Sequence, residues 1–595
     1  MIQARYSFGA ELQPGAGVRF RLYAPAAKTV TVVFAHGASP ARTALHATGG
    51  GVFEATVAAA RPGTRYAFEI DGCAPAVPDP ASRYQPDGVH APSEIVDPNG
   101  FAWPDDGWRG RPWNEIAIYE LHVGAFTPAG TYLAAIEKLD DLVDLGVTAI
   151  ELMPLAQPAG RWNWGYDGTL PYAPAAAYGR PEDLKRLVAA AHARGLAVML
   201  DVVYNHFGPE GNYLGLSAPS FFTDRVQTPW GPAIDFAAPG NAPVRAFFIE
   251  NALYWLRDFR FDGLRLDAIH EIVDPSAKPV LVELAETVAA EIDRPVFLTI
   301  EDDRNEGTLL GAGYTAQWND DLHHAFHVIL TGESDGYYGD FVDRPIELLG
   351  RALTSGYAYQ GENSAFRDGQ ARGVPSAPYP LGKFIGFLQN HDQIGNRVRG
   401  ERITQLASRE AVRAAVAILL LAPSPPLLFM GQEWGASTPF LFFCDFEPGL
   451  ARAVRVGRRR EFAAFARAAP VRTIPDPTAP ESFEHSKLRW DERGDPAHRA
   501  WLDEHRQLLG PRMREIVPRI AGVRGADAGF ACIGERGLCA RWRLDDGTTL
   551  ALAANLGSRP LEGLAARATG WLLFATHDAG ADGIAEPWSV RWTLE

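Results

Sequence analysis

Four stretches of the chain join an apolar run to a polar end: AVMLDVVYNH (197–206), DGLRLDAIH (262–270), PVFLTIED (295–302) and KFIGFLQNHD (383–392). Continuous apolar runs of this length are typical of strands buried on both faces, as in parallel sheets. The polar residues gather at the carboxyl end of each run. In a barrel of parallel strands, that end is where the active site is built. The four stretches therefore predict barrel strands with a polar site at one mouth.

Four more apolar runs complete the pattern: EIAIYELHV (115–123), TAIELMPL (148–155), YTAQWN (314–319) and PPLLFMGQE (425–433). Helical patterns such as LAAIEKLDDLVDLG (133–146) and PEDLKRLVAAAHARG (181–195) lie between most of the runs. Eight such repeats predict an α/β fold, a (β/α)8 TIM barrel over residues 113–518 with a short excursion at about 207–243. A doubly wound open sheet also alternates strands and helices, but polar strand ends throughout the run favour the barrel.

The segments before and after the predicted barrel have a different hydrophobic pattern. Residues 1–95 contain short alternating runs such as VRFRLYAP (18–25) between Gly and Pro residues, which predicts an N-terminal β-sandwich. Residues 96–112 are rich in Pro, Asp and Gly and are interpreted as a linker. A helix is predicted at 496–510, and alternation returns over 519–595 with a hairpin signal, DDG, at 545–547. A C-terminal β-sandwich is therefore expected.

Composition excludes several classes of protein. The chain has 595 residues, with 56 basic and 72 acidic side chains and a net charge of −16, so no nucleic-acid or anionic-membrane partner is expected. Its four cysteines show neither a CxxC pair nor zinc spacing. The first residues lack the pattern of a signal peptide, and the longest apolar run is too short to cross a bilayer. A cytoplasmic enzyme is the natural expectation.

Three carboxylates and an arginine meet at the predicted barrel mouth. Residues two apart in a strand share a face, so Arg265 and Asp267 point to the same side, near Glu301 and Asp392 on other strands. Like charges raise one another's pKa and an arginine lowers its neighbour's, so one carboxyl can stay protonated while another ionises. Glycoside hydrolysis needs such a pair. A magnesium site is the rival interpretation, but a cation at Arg265 opposes it.

These motifs resemble those of a known superfamily. DVVYNH, GLRLDAIH, the Glu after TI and FLQNHD occur in the order of the four conserved regions of the α-amylase superfamily, glycoside hydrolase family 13. The segment RFRLYAPAAKTVTVVF (19–34) resembles the glycogen-binding-module-like sandwich of branching and debranching enzymes. Closer still is the similarity of HFGPEGNYL (206–214), EDDRNE (301–306) and QWNDDLHHAFH (317–327) to the maltooligosyltrehalose trehalohydrolase family. That family cleaves the α-1,4 bond next to a terminal trehalose unit and releases trehalose.

The resemblance implies a role for each matching residue. Asp267 matches the nucleophile, Glu301 the general acid/base and Asp392 the third carboxylate, which stabilises the distorted sugar ring in the transition state. The implied substrate contacts are Tyr166, His206, Arg265, His270, Glu271 and His391. Asp302, Arg304 and the 208–212 loop adjoin catalytic strand ends and are further candidates for contacting the leaving group, while Asp201 and Asn205 are expected to give structural support. Glu271 departs from the basic or imidazole residue of plain amylases, which is consistent with an altered leaving-group site.

Two other functions are compatible with the same fold. Glycogen branching enzyme shares the N-terminal module and the barrel but transfers to another glucan instead of to water. A catalytically silent glucan-binding protein is the alternative from another class, and the presence of both Asp267 and Glu301 opposes it. No cofactor and no metal are expected. The implied substrate is a maltooligosaccharide with a terminal trehalose, and the implied pathway includes a trehalose-forming synthase.

Overall fold

Eight parallel strands close into a barrel, in chain order around the ring. The structure, a computed structural model, describes residues 6–35, 41–72, 75–104, 107–465, 474–564, 570–577 and 584–595. The barrel strands are Ile118–Leu121, Ala149–Leu152, Ala197–Val202, Gly263–Leu266, Phe297–Ile300, Ala316–Trp318, Phe384–Phe387 and Pro426–Phe429. Closure confirms the predicted TIM barrel and excludes the open sheet.

The barrel interior is apolar below and polar above. Inward side chains such as Ile118, Met199 and Phe387 form one buried apolar cluster. Because residues two apart share a face, the next inward layer contains Glu120, which follows Ile118, and Asp201, which follows Met199. The change from apolar to charged residues within one strand is what places the polar site at the carboxyl mouth.

Helices cover the outside of the barrel. The longer ones are Leu139–Leu145, Pro181–His192, Ala242–Asp258, Val280–Glu291, Asp320–Thr331, Pro345–Ser355, Arg409–Leu421, Pro448–Phe465 and Pro496–Pro511. Shorter α-helices lie at Val123–Phe126, Tyr132–Ile136, Leu214–Ser217, His391–Gly395, Ile403–Leu406 and Pro480–Ser486. In the part of the chain that the structure describes, no helix combines the length and the apolarity needed to cross a membrane.

One predicted helix is wrong in detail. The periodic stretch 133–146 forms two helices, Tyr132–Ile136 and Leu139–Leu145, instead of one. The backbone N–H of Lys138 bonds to the carbonyl of Ala135, a tighter turn that interrupts the regular helical ladder. The apolar spacing continues through the break, so the spacing alone does not reveal it.

A seven-stranded antiparallel sheet precedes the barrel. Its strands are Gly9–Gln13, Gly17–Tyr23, Val30–Phe34, Arg42–Gly49, Val52–Val57, Arg65–Ile70 and Ser93–Glu94, and it folds around its own apolar core. The sheet is joined to the barrel by Arg83, whose guanidinium lies over the rings of Tyr172 and Tyr254 at 4.2 and 4.7 Å. These buried cation–π contacts stabilise the packing of the N-terminal sheet domain against the barrel domain.

A second antiparallel sheet follows the barrel. Its five strands are Ala528–Ile533, Gly537–Arg543, Thr549–Asn555, Ser589–Leu594 and Trp571–Ala575, with a separate pair, Leu561–Glu562 and Ile584–Ala585. Trp542 and Trp592 stack at 5.4 Å and are fully buried against the barrel helices. The indole N–H groups of these two residues donate to the carbonyls of Leu353 and Ala417 in those helices.

Candidate active site

Arg265 is the hub of the polar layer at the barrel mouth. Its Nη1 donates to Asp201 Oδ2 at 2.7 Å and to Asp267 Oδ1 at 2.8 Å, and its Nη2 donates to Glu301 Oε2 at 2.5 Å. The guanidinium is fully buried and lies 4.1 Å from the ring centre of Trp318, which closes it from below. Three carboxylates from three strands are thus held by one cation, which offsets part of their mutual repulsion.

Asp267 lies one residue beyond the fourth barrel strand. Asn205 Nδ2 donates to both the main-chain carbonyl and the Oδ2 atom of Asp267, at 2.8 Å each. With Arg265 on Oδ1, both carboxylate oxygens have a donor, and the side chain is held in one orientation. The next residue, Ala268, adopts the left-handed conformation, with φ of 38°, which is uncommon for a residue with a Cβ and clusters at functional sites.

The turn at Ala268 also organises Glu301. The N–H of Ala268 donates to Glu301 Oε2 at 3.1 Å, on the same oxygen that Arg265 contacts. Because Oε2 is occupied by two donors, a proton on Glu301 belongs on Oε1. The strained turn therefore places the Asp267 and Glu301 carboxyl groups side by side around one guanidinium.

Asp392 and His391 begin a short helix after the seventh strand. The Asn390 side chain caps this helix by accepting from the Asp392 N–H at 2.9 Å. The Asp392 carboxylate remains about one-third exposed and lies 3.5 Å from His391 Nε2. The exposed carboxylate faces the open mouth, as a group that binds sugar hydroxyls requires.

Tyr166 forms a flat wall beside the carboxylates. Its ring stacks on His391 with centres 5.0 Å apart, and its hydroxyl donates to Asp201 at 2.6 Å. His206 Nε2 lies 3.0 Å from the Tyr166 carbonyl. Burial lowers the pKa of His206 to about 4, so its imidazole is neutral at pH 7. Asp201 therefore accepts hydrogen bonds both from the Tyr166 hydroxyl and from Arg265.

The candidates for the leaving-group site lie after the fourth and fifth strands. His270 Nδ1 is 3.7 Å from Asp303, and Arg304 Nε is 3.1 Å from Asp302 Oδ1. Asp302 is buried, whereas His270, Glu271 and Arg304 are half-buried at the rim. The 208–212 loop packs on the region before the barrel, where His90 contacts Tyr213 and Glu210.

One group in this region has ligand atoms close enough for a metal ion. Single ligand atoms of His270, Asp302 and Asp303 lie within 4.8 Å of one another, but the cations Arg304 and Arg367 already pair with the two aspartates. We expect dialysis against EDTA to leave turnover unchanged, because bound metal would compete with these arginines. Hydrolysis rates before and after dialysis check this. Activity that is abolished by the chelator and restored by calcium would contradict it.

A cavity of about 260 Å³ opens beside Glu301 and Asp392. Its other lining residues come mainly from the segment after the sixth strand: Asp303, Asp320, His324, Tyr337, Asp340, Ser364, Phe366, Arg367, Arg372, Gln393 and Asn396. Asp303 lies in the motif EDDRNE, and Asp320 and His324 lie in QWNDDLHHAFH, but neither motif predicts a role for these three residues. His324 lines the cavity, and its Nδ1 atom is buried without a hydrogen-bond partner among the described residues.

Comparisons with known proteins agree with this architecture. Family profiles match carbohydrate-binding module 48 (isoamylase N-terminal domain) at residues 7–98, the α-amylase catalytic domain at 97–228 and a domain of unknown function, DUF3459, at 525–592. A crystal structure from Salmonella typhimurium, provisionally described as an α-amylase, superposes with a TM-score of 0.94 and 45% identity, covering 99% of each chain.

Curated relatives share one name. The malto-oligosyltrehalose trehalohydrolase of Deinococcus radiodurans is 46% identical over 85% of this chain and 82% of its own length. The protein of that name from Mycobacterium tuberculosis is 43% identical over 77% of this chain and 81% of its own length. The chain therefore belongs to the malto-oligosyltrehalose trehalohydrolase family and is a glycoside hydrolase of the α-amylase superfamily.

Proposed function

We propose that the chain hydrolyses the α-1,4-glucosidic bond next to the terminal trehalose of maltooligosyltrehalose, releasing trehalose and a maltooligosaccharide. The bridging of Asp267 and Glu301 by one guanidinium supports the chemistry. A retaining glycosidase needs its two carboxyl groups only about 5–5.5 Å apart, and a shared cation favours a short separation. The names of the relatives support the choice of substrate.

In the proposed mechanism, Asp267 attacks the anomeric carbon while Glu301 gives its proton to the leaving oxygen. Arg265 and Asn205 each donate to one oxygen of Asp267 and hold its carboxylate in one orientation, as a nucleophile needs. Water then attacks the glycosyl ester, and Glu301 takes a proton from that water. Two inversions give net retention at the anomeric carbon.

The glucose at the cleaved bond is proposed to lie against Tyr166. His391 presents its Nε2 beside Asp392, and Asp392 accepts hydrogen bonds from the open side. His206 is proposed to contact the sugar after exchanging one of its bonds to Asn205 and the Tyr166 carbonyl. The leaving trehalose is proposed to enter the cavity beside Glu301. The polar side chains that line this cavity include Asp303 and Arg372. Trehalose is 1,1-linked, so its second ring projects differently from that of maltose, and fixed polar groups can discriminate between the two.

The released sugar and its anomeric form test this proposal. We would incubate the protein with maltooligosyltrehalose and with a maltooligosaccharide of equal length, then identify the products by chromatography and by NMR at early times. Trehalose with an α-configured maltooligosaccharide is the expected pair. Branched glucans would instead indicate a branching enzyme, and a β-configured product would contradict retention.

Selectivity for trehalose is expected to depend on arginines around the leaving group. Arg367 lines the cavity and pairs with Asp303 at 2.6 Å, whereas Arg304 pairs with Asp302 outside its lining. We expect alanine at either position to cost about 1–3 kcal/mol of discrimination, because a polar contact to one disaccharide is lost. The measurement is kcat/KM on both substrates, and Glu271→Ala tests the fourth-strand loop in the same way. Equal losses on both substrates in all three variants would place selectivity elsewhere.

The proposed substrate also requires an earlier enzyme. A terminal 1,1-linkage at the end of an α-1,4 chain does not arise from hydrolysis, so a trehalose-forming synthase must act first. The chain is proposed to complete that sequence by releasing the disaccharide.

A further inference from the structure

Two glutamates lie side by side beneath the candidate active site. Glu120 in the first barrel strand is directly opposite Glu151 in the second, in parallel register, and each is 1% exposed. Neither belongs to the proposed machinery. A pair of carboxyl groups this deep in a protein needs a partner or a shared proton, since burying an unpaired charge is costly.

Glu120 has a partner, the imidazole of His391. Its Oε1 lies 2.5 Å from His391 Nδ1, and its Oε2 accepts from the backbone N–H of His391 at 3.3 Å. The imidazole also packs against two aromatic rings. Tyr166 stacks on it, and Trp164 lies edge-to-face with it, with ring centres 5.5 Å apart. The ring orientation is therefore set from several sides, with Nε2 directed towards Asp392.

We propose that Glu120 is a positioning residue for catalysis, whose carboxylate keeps His391 as an imidazolium with its Nε2–H aimed at Asp392 and at the sugar. This inference rests on the proposed function, because it assigns His391 to the ring at the cleaved bond. The Glu120 carboxylate accepts from Nδ1–H, so Nε2 also carries a proton only in the imidazolium, and the bond at Nδ1 fixes the direction of that Nε2–H. Asp392 alone would not do this, because it is one-third exposed and contacts only Nε2 of the ring, at 3.5 Å.

The charges around His391 support a cation there. The groups facing it are Glu120, Glu151, Asp201, Asp392, Arg265, His122 and the Tyr166 hydroxyl. Burial lowers the pKa of His391, but Asp392 and Glu120 outweigh burial and Arg265 and bring it to about 9. The protonated form is therefore the one present at pH 7.

Glu151 completes the arrangement as a neutral acid. Both of its oxygens are buried without a hydrogen-bond partner among the described residues. Burial, with added repulsion from Glu120, raises its pKa well above the ordinary value. A neutral Glu151 adds no charge beside Glu120, whose two oxygens bond to the ring and the backbone N–H of His391.

Glu120→Gln, which keeps the shape and removes the charge, tests the proposal. We expect kcat to fall roughly 10- to 100-fold, as for a misplaced catalytic group, with KM nearly unchanged. The pKa of His391, followed by nitrogen-15 NMR of the variant, should fall, because the ring loses the charge of the carboxylate to which Nδ1 donates. Glu120→Asp, which restores the charge, should recover most of the His391 pKa and part of kcat.

The control is Glu433→Gln. Glu433 is an equally buried carboxyl that accepts from Tyr119 and does not contact His391. We expect it to lower the melting temperature without changing the pKa of His391. A Glu120→Gln variant that loses stability and turnover but leaves the pKa of His391 unchanged would reduce Glu120 to a structural role and overturn the proposal.

A second measurement needs neither substrate nor variant. Nitrogen-15 NMR of histidine-labelled protein reports the protonation of His391 in the parent chain directly. A pKa at or below the ordinary value of about 6.5 would overturn the proposal even if Glu120→Gln does not fold. Because this titration requires no reaction, failure of the proposed trehalose release would leave it intact, so the two failures are distinguishable.

Discussion

Asp267→Asn is expected to abolish turnover while the chain stays folded. The change removes the charge that forms the glycosyl ester and preserves the volume of the side chain. Loss of a covalent nucleophile costs about 10⁴-fold or more in rate. The amide oxygen can still accept from Arg265, but the amide nitrogen then faces Asn205 Nδ2, a donor against a donor. A stability loss of about 1–2 kcal/mol is therefore expected as well.

The matched control is Asp262→Asn, at the opposite end of the same strand. Asp262 is fully buried and bonds to Trp108 and His192, away from the polar layer. We expect this variant to lose stability but to keep turnover within about tenfold of the parent, since it leaves the catalytic groups unchanged. Rates and melting temperatures of both variants would be compared. Turnover of Asp267→Asn above about a tenth of the parent's would contradict the assignment of the nucleophile.

Arg265→Met is expected to damage both stability and activity. Three carboxylates on three strands lose their shared cation, and removing one partner of a buried ion pair costs about 3–5 kcal/mol. Burial already raises the pKa of Asp201 to about 7 against the influence of Arg265. Without the guanidinium, the carboxyl groups of this layer favour their protonated forms still more strongly. Activity should therefore be lost first at low pH.

Urea unfolding and the pH profile of kcat/KM measure the two effects. The acid limb should move to higher pH, and part of the stability should return at low pH, where the carboxyl groups are protonated. Arg265→Lys is the control, because it keeps the charge but loses the fork that reaches two carboxylates at once. A Met variant within about 1 kcal/mol of the parent, with an unmoved acid limb, would show that the carboxylates do not depend on Arg265.

The barrel could be predicted because its strands are local features. All eight apolar runs contain a barrel strand, although the strands are shorter than the runs. The DVVYNH run, for example, stops being a strand at Val202, and Asn205 and His206 follow in the loop. The polar residues at the end of each run lie beyond the strand, at the barrel mouth. Hydropathy along the chain does not predict the residue at which the strand ends. The split of the 133–146 helix was missed for a similar reason.

The candidate site was predicted in part. Asp267, Glu301 and Asp392 were assigned from short motifs, and the structure places their strand ends around one mouth. The role of Asn205 as a donor to Asp267, the strained Ala268 and the cavity lined by Tyr337 and Arg367 were not assigned. None of these has a periodic or compositional signal, because each depends on where a loop turns.

The sequence by itself determined the repeat of eight strands and helices, the flanking β regions and the residue types available at the strand ends. These follow from hydrophobic period and from the rule that parallel strands present their carboxyl ends at one edge. Only the tertiary structure decided which polar groups meet: Glu120 and His391 are 271 residues apart in the chain, yet they share a hydrogen bond. Barrel closure brings the first strand beside the eighth and near the seventh, and no pattern along the chain contains that contact.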